Sequence, residues 1–105
     1  MRRGDIYLCD LGDPVGSEQG YLRPVVIVSH DETVRYGLPI VVPLTRTKRG
    51  YRTHVEIESP LPVTSYVQCE QIRAISVKRL TRRLGSLSGV DLVRVETIVH
   101  RLLGP

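Results

Sequence analysis

The chain has no tryptophan and no phenylalanine among its 105 residues. Its core must therefore be built from Val, Ile and Leu with parts of five tyrosines, a composition that suits a compact barrel of short strands. No apolar run approaches the roughly 20 residues that a membrane span needs. No signal-peptide pattern opens the chain, so a cytoplasmic location is expected. The only two cysteines, Cys9 and Cys69, both fall inside predicted strands. They are expected as reduced core residues rather than as a disulfide. Cys-x-x-Cys and His-Glu-x-x-His are both missing, and the histidines stand apart at positions 30, 54 and 100. No metal site and no cofactor is predicted. The glycine-flanked loop at 16–20 leads into a strand rather than from a strand into a helix, which argues against nucleotide hydrolysis of the P-loop kind. There is no nucleophile elbow.

What is present is one domain spanning 1–105, without linker, repeat or low-complexity stretch. Short strands bounded by Gly and Pro turns are predicted at about 5–11, 24–29, 39–45, 53–58, 65–72 and 83–86. Short helical turns are expected over Asp31–Tyr36 and Val77–Leu80. Ser88 followed by Asp91 has the capping-box spacing. Val95, Ile98, Val99, Leu102 and Leu103 then recur at helical spacing until Gly104-Pro105 stops the helix. That stripe is expected to pack on the strands, with a subunit interface as the alternative. The fold class is mainly β with a C-terminal α-helix.

Chemistry-bearing residues gather at strand ends. Gly16-Ser17-Glu18-Gln19-Gly20-Tyr21-Leu22-Arg23-Pro24 runs straight into Val25-Val26-Ile27-Val28. Consecutive β-branched residues without alternation predict a strand buried on both faces, with Pro24 at its first position because it has no N–H for a ladder. Arg23 then sits on a rigid edge, set before binding for an anionic ligand or else salt-bridged to Glu18. A second apolar strand, Leu38 to Leu44, ends in Thr45, followed by Arg46, Lys48, Arg49 and Arg52. Tyr66 to Arg73 alternates as a half-buried strand, which would put Glu70 and Gln71 on opposite faces.

Fifteen Lys and Arg against eleven Asp and Glu give a formal charge of +4. That balance permits nucleic acid without specifying it. Arg46, Lys48, Arg49 and Arg52 lie beside Thr45 with Tyr51 among them, so phosphate contact with base stacking stands there against a merely solvated face. For the second cluster, Lys78, Arg79, Arg82 and Arg83, a solvated face is the expectation.

Five pieces taken in order resemble the MazF/PemK family of toxin endoribonucleases: Arg3-Gly4-Asp5-Ile6-Tyr7, the 16–20 loop with Arg23-Pro24, Leu44-Thr45, Thr53-His54-Val55-Glu56-Ile57, and Glu70-Gln71-Ile72-Arg73. They cover nearly the whole chain. The resemblance implies a small SH3-like β-barrel with a C-terminal helix. It also implies a homodimeric mRNA interferase that cuts single-stranded RNA and is neutralised by a cognate antitoxin. It makes Arg23 and Thr45 catalytic, and Ser17, Glu18, Gln19, Glu70 and Gln71 RNA-contacting. This chain departs modestly from the family, with Pro43 before Leu44-Thr45 and a short, very basic segment from Thr45 to Arg52.

An endoribonuclease that uses the substrate's 2′-hydroxyl must hold the attack in line, stabilise charge on the phosphorane and move two protons. It leaves a 2′,3′-cyclic phosphate and a 5′-hydroxyl. A guanidinium at Arg23 meets the charge requirement, and Thr45 can fix a phosphate oxygen. Glu18, Glu70 and His54 are the proton-moving candidates by type, with His54 expected more as a structural or RNA-contacting residue than as a base. The expected activity is therefore a metal-independent, sequence-selective cut in messenger RNA, with transfer or ribosomal RNA also open. The rivals are a non-catalytic gyrase poison of the same fold and an RNA-binding barrel that does not cut.

Overall fold

The computed structural model describes residues 1–104. Its strands are β1 (Asp5–Asp10), β2 (Leu22–Ile27), β3 (Ile40–Thr45), β4 (His54–Ile57), β5 (Ser65–Gln68), β6 (Arg73–Ala74) and β7 (Leu80–Ser86). A short helix α1 (Asp31–Arg35) follows β2, and the long helix α2 (Gly89–Leu103) closes the chain. The strands form one curled antiparallel sheet in the order β4-β5-β3-β2-β1-β7, with β6 on β3. β4 and β7 end that order, so the sheet curves like a barrel without closing. The expected mainly-β fold with a C-terminal helix is what forms.

Strand assignment follows the apolar runs. Val25, Val26, Ile27, Val41 and Val42 are entirely buried, because both faces of β1–β3 are covered. One face, with Ile6, Val26, Val42 and Leu44, packs against Leu87, Val95 and Val99 at α2. The other, with Cys9, Val25, Ile27 and Val41, packs against Ile75, with Val34 and Leu80 at its border. Both cysteines are free and buried, as core residues. Burial pushes the thiol pKa of Cys9 up to about 11 and that of Cys69 up to about 12.

Ser88 caps α2 as expected, its Oγ accepting from Asp91 N at 3.1 Å. The Asp91 carboxylate takes a bond from Arg94 at 2.9 Å, so only half of the capping box is made. The apolar stripe departs from expectation at its end. Val95 and Val99 are buried, but Leu102 and Leu103 are 43% and 71% exposed. Pro105, expected to help stop the helix, lies outside the described residues.

Two further departures bear on the site. Pro24 is the third residue of β2, not the first. It pairs with Leu8 of β1, while the ladder to β3 begins only at Val25, so the missing N–H costs nothing on that edge. The strand predicted for 65–72 stops at Gln68 and turns into a 3₁₀ helix over Cys69–Gln71. Glu70 and Gln71 therefore lie on a turn, not on opposite faces of a strand.

Candidate functional site

Two prolines shape the site. β2 and β3 pair through Val25↔Pro43, Val26↔Val42 and Ile27↔Val41. Continuing that register by two residues would set Pro24 against Leu44 and Arg23 against Thr45. Neither Pro24 nor Pro43 has an N–H to carry the ladder further, and β3 turns instead to β5 through Leu44↔Val67 and Thr45↔Tyr66. The sheet splits there, and the split opens a cavity of about 490 Å³. Leu8, Leu44, Leu61 and Leu84 supply apolar wall, while Arg23, Thr45, Arg46, Thr47, Ser65 and Arg82 supply the polar groups. Among the described residues, no carboxylate and no imidazole lines it.

Arg23 is half-buried, and its Nε donates to the Gly20 carbonyl at 3.1 Å. That bond holds the stem of the guanidinium and leaves the two terminal nitrogens free to form a fork. The alternative ion pair with Glu18 does not form; Glu18 accepts from Val15 N at 3.2 Å instead. Thr45 is 6% exposed, and its Oγ1 accepts from Thr47 N at 3.2 Å. With its oxygen fixed by a backbone donor, the hydroxyl proton is the part left to give to an anion. Among the described residues, no carboxylate pairs with Arg23, Arg46 or Arg82. The cavity therefore collects cations and hydroxyls with nothing negative to neutralise them.

The loop before β2 is held from both ends. Gly20 closes against Pro14 and the Gly12 carbonyl so tightly that a Cβ there would clash with the Pro14 ring. Tyr21 follows at φ 62°, a left-handed conformation that costs a side-chain-bearing residue about 1–2 kcal/mol. It is locked by bonds from Tyr21 N to Gly12 O and from Leu11 N to Tyr21 O. Gln71 holds the loop's far side: its Oε1 accepts from Gln19 N at 3.2 Å and its Nε2 donates to Ser17 O at 2.9 Å. Ser17 and Glu18 thus stay exposed at the tip of a braced loop.

His54 and Glu70 form a separate group. The His54 side chain is only 3% exposed, and its Nε2 lies 2.9 Å from Glu70 Oε2. Thr53 Oγ1 donates to the other Glu70 oxygen at 2.8 Å. Partial burial pushes the Glu70 carboxyl up, but the bonds from His54, the backbone and Thr53, with the His54 charge, outweigh it. The net pKa falls below the ordinary carboxylate value. His54 faces α2 beside Val93 and Thr97 rather than the cavity.

The sequence candidates therefore divide. Arg23, Thr45 and Arg46 share the cavity. Ser17, Glu18 and Gln19 belong to the loop that ends at Arg23's anchor, and Gln71 holds that loop from the 69–71 turn. Lys48, Arg49 and Arg52 are exposed on the segment after Arg46. His54 and Glu70 pair with each other. Sequence reasoning missed Thr47 and Ser65 at the cavity, and it missed the cation Arg82, grouped there with three other cations as a solvated face. Two of those neighbours are occupied: Arg79 donates to Asp10 O and Arg83 pairs with Asp5.

Comparison with known proteins agrees with this architecture. The profile of the PemK-like, MazF-like toxins of type II toxin–antitoxin systems matches residues 2–103. The chain is 39% identical over 110 aligned positions to "Endoribonuclease MazF" of Staphylococcus epidermidis, covering 99% of this chain and 92% of that protein. The crystal structure of MazF from Deinococcus radiodurans superposes with a TM-score of 0.91 at 24% identity, over 100% of this chain and 97% of the other, and shows the fold. A mycobacterial endoribonuclease solved with its cognate antitoxin superposes with a TM-score of 0.83 at 28% identity, over 99% and 95%.

Proposed function

The chain belongs to the PemK-like, MazF-like toxin family of type II toxin–antitoxin systems, and from that premise we propose that it is an endoribonuclease that cuts single-stranded RNA at the Arg23–Thr45 cavity. The observation that carries the reading is the convergence of an unpaired guanidinium and a hydroxyl in a cavity without carboxylates. The name of the staphylococcal relative supports the activity.

In this mechanism the scissile phosphate sits between Arg23 and Thr45. The 2′-oxygen of the upstream nucleotide attacks phosphorus while the bond to the 5′-oxygen breaks. The Arg23 fork receives the charge that builds on the non-bridging oxygens, and Thr45 donates one further hydrogen bond. A preorganised donor of this kind is worth about 2.7–4 kcal/mol in the transition state. Of the three proton-moving candidates, His54 and Glu70 are bonded to each other, which leaves Glu18, at the exposed tip of the loop that ends at Gly20, as the base. It takes the 2′-hydroxyl proton once RNA lies along the loop, while a water gives the proton that the departing 5′-oxygen needs. The products are a 2′,3′-cyclic phosphate and a 5′-hydroxyl. The cationic lining repels a divalent cation, which supports cleavage independent of metal. Ser17, Gln19, Arg46, Lys48, Arg49, Arg52 and Glu70 make the remaining RNA contacts, and Gln71 holds the loop in reach. Sequence selectivity comes from that loop and from the basic segment after Thr45.

A single copy of a 105-residue chain has little room for a groove that holds several nucleotides, and a homodimer would extend the site along a shared seam. The mycobacterial relative solved with its antitoxin supports a cognate antitoxin as partner, with an acidic segment over the basic groove. No described helix is long and apolar enough to cross a membrane, in keeping with action on RNA in the cytoplasm. Incubation with a long transcript, with cuts mapped by primer extension and a parallel arm of relaxed DNA plus gyrase, tests the function. Discrete cuts at a short recurring sequence are expected. An intact transcript alongside poisoned gyrase would overturn the reading in favour of the gyrase-directed alternative, and binding without cuts in favour of the RNA-binding barrel.

A further inference from the structure

Arg82 owes its place at the cavity to irregularities in β7. The register against β1 runs Ile6↔Gly85, Tyr7↔Arg83, Leu8↔Arg82 and Cys9↔Leu80, with shifts at Ile6/Tyr7 and Leu8/Cys9. Thr81 is the extra residue between Leu80 and Arg82, and such a bulge re-aims the side chains around it. Leu80 packs at the edge of the cluster containing Cys9, whereas Arg82 stands opposite Leu8, on the cavity side. Arg83, one residue on, faces the other way and pairs with Asp5. A run of cations that looks uniform in sequence is thus sorted by the strand: Arg79 and Arg83 bind the protein itself, and Arg82 is turned toward the cavity without a carboxylate partner among the described residues.

We propose that Arg82 is a substrate-binding residue that holds a backbone phosphate flanking the scissile one. The inference rests on the cavity being the site of RNA cleavage. The sheet order supplies the geometry: β3 and β2 are neighbours and carry Thr45 and Arg23, while β7 lies beyond β1. Two strand spacings separate Arg82 from Pro24 across Leu8, about 10 Å between backbones. A phosphate held between Arg23 and Thr45 lies at one end of that row, so the cation at the other end meets the next charge along the strand. Arg82 fixes the direction in which RNA leaves the scissile position, across β1 toward β7, over the apolar wall of Leu8 and Leu84.

The test uses a short RNA spanning the strongest cut mapped in a long transcript, with a 2′-O-methyl group at the attacking position so that it binds without being cut. Arg82→Gln should weaken binding of this RNA roughly tenfold at low salt, the scale of one hydrogen-bonded charge contact. The slope of log affinity against log salt should become shallower by about 0.7, one phosphate contact on a single strand. On the cleavable RNA, KM should rise while kcat stays within about twofold, and Arg82→Lys should recover most of the affinity because a point charge still meets a phosphate. Lys78→Ala, which removes a neighbouring charge outside the cavity, should leave the slope unchanged. Circular dichroism on each variant confirms the fold. An Arg82→Gln protein that binds within twofold of wild type with the same salt slope overturns the proposal, as does loss of kcat without loss of affinity. If wild type cuts no RNA at all, the cleavage reading itself fails, and the two failures are told apart by the wild-type lane.

Discussion

The Arg23–Thr45 cavity and the His54–Glu70 pair are both polar clusters at strand ends, yet they are opposite in their electrostatics. In the pair the carboxylate has been answered: Glu70 takes bonds from His54 and Thr53, and His54 is almost wholly enclosed, with its Nδ1 left without a partner among the described residues. In the cavity the positive charge has not been answered. Arg23 spends one nitrogen on the Gly20 carbonyl and keeps its fork, and Arg46 and Arg82 have no carboxylate among the described residues. Two polar clusters at strand ends thus play different parts, one bracing the fold and the other waiting for an anion. What separates a catalytic candidate from a structural one here is the charge left over after the protein has satisfied itself.

The contrast can be broken most sharply at Arg23. Arg23→Ala should lower kcat by at least about 10²–10³-fold, with the thermal midpoint nearly unchanged, because the side chain is half-buried at a strand entrance rather than in the core. Cleavage assays beside circular dichroism check this, and activity within a few-fold of wild type would remove Arg23 from the mechanism. Thr45→Val, which keeps the shape and removes the donor, should cost roughly 10–100-fold in kcat, since a neutral donor is weaker than a charged one.

Gly20→Ala probes the link between loop and cavity. The new Cβ meets Pro14 and the Gly12 carbonyl, so the loop must shift and carry with it the carbonyl that anchors Arg23. Activity should fall about tenfold or more with a loss of about 1–3 kcal/mol in stability, measured by denaturant titration. A variant that loses stability but keeps full activity would show that Arg23 does not depend on its anchor.

The smallest effect is expected from the pair. Glu70→Gln should leave kcat within a few-fold while changing the acid limb of stability. Folding lowers the Glu70 pKa, so its ionised form contributes stability above the ordinary carboxylate pKa and loses it as pH falls through the lowered value. Wild type should therefore lose more stability than Glu70→Gln over that acid range, followed by thermal melts. A large loss of kcat with the melting curve unmoved would move Glu70 from brace to catalyst.

The cavity side of this contrast is legible in the sequence alone, whereas the pairing of His54 with Glu70 is not. The apolar runs of β2 and β3 announce strands buried on both faces, and Arg23 and Thr45 stand at their ends in the sequence itself. The turn at 69–71 was not legible, because Tyr66-Val67-Gln68-Cys69-Glu70-Gln71-Ile72-Arg73 keeps alternating through it. Its true signal is tertiary, since Cys69 N bonds Thr53 O and Gln71 is drawn to the loop. Arg82 was hidden for a related reason. Period-two alternation cannot reveal a bulge, so nothing in Leu80-Thr81-Arg82-Arg83-Leu84 tells which arginine faces the cavity. The exposure of Leu102 and Leu103 likewise depends on what the fold packs against the end of α2, which helical periodicity does not encode.

The central claim is that the cavity stabilises a phosphorane formed by the RNA's own 2′-hydroxyl. Its most direct measurement compares an RNA carrying the mapped cut with the same strand bearing a single 2′-deoxy nucleotide 5′ to that cut, both in EDTA. The account predicts full cleavage of the first, with a cyclic phosphate at the new 3′ end by mass, and binding without cleavage for the second. Cleavage of the deoxy strand, or a cut that appears only when magnesium is added, would contradict it.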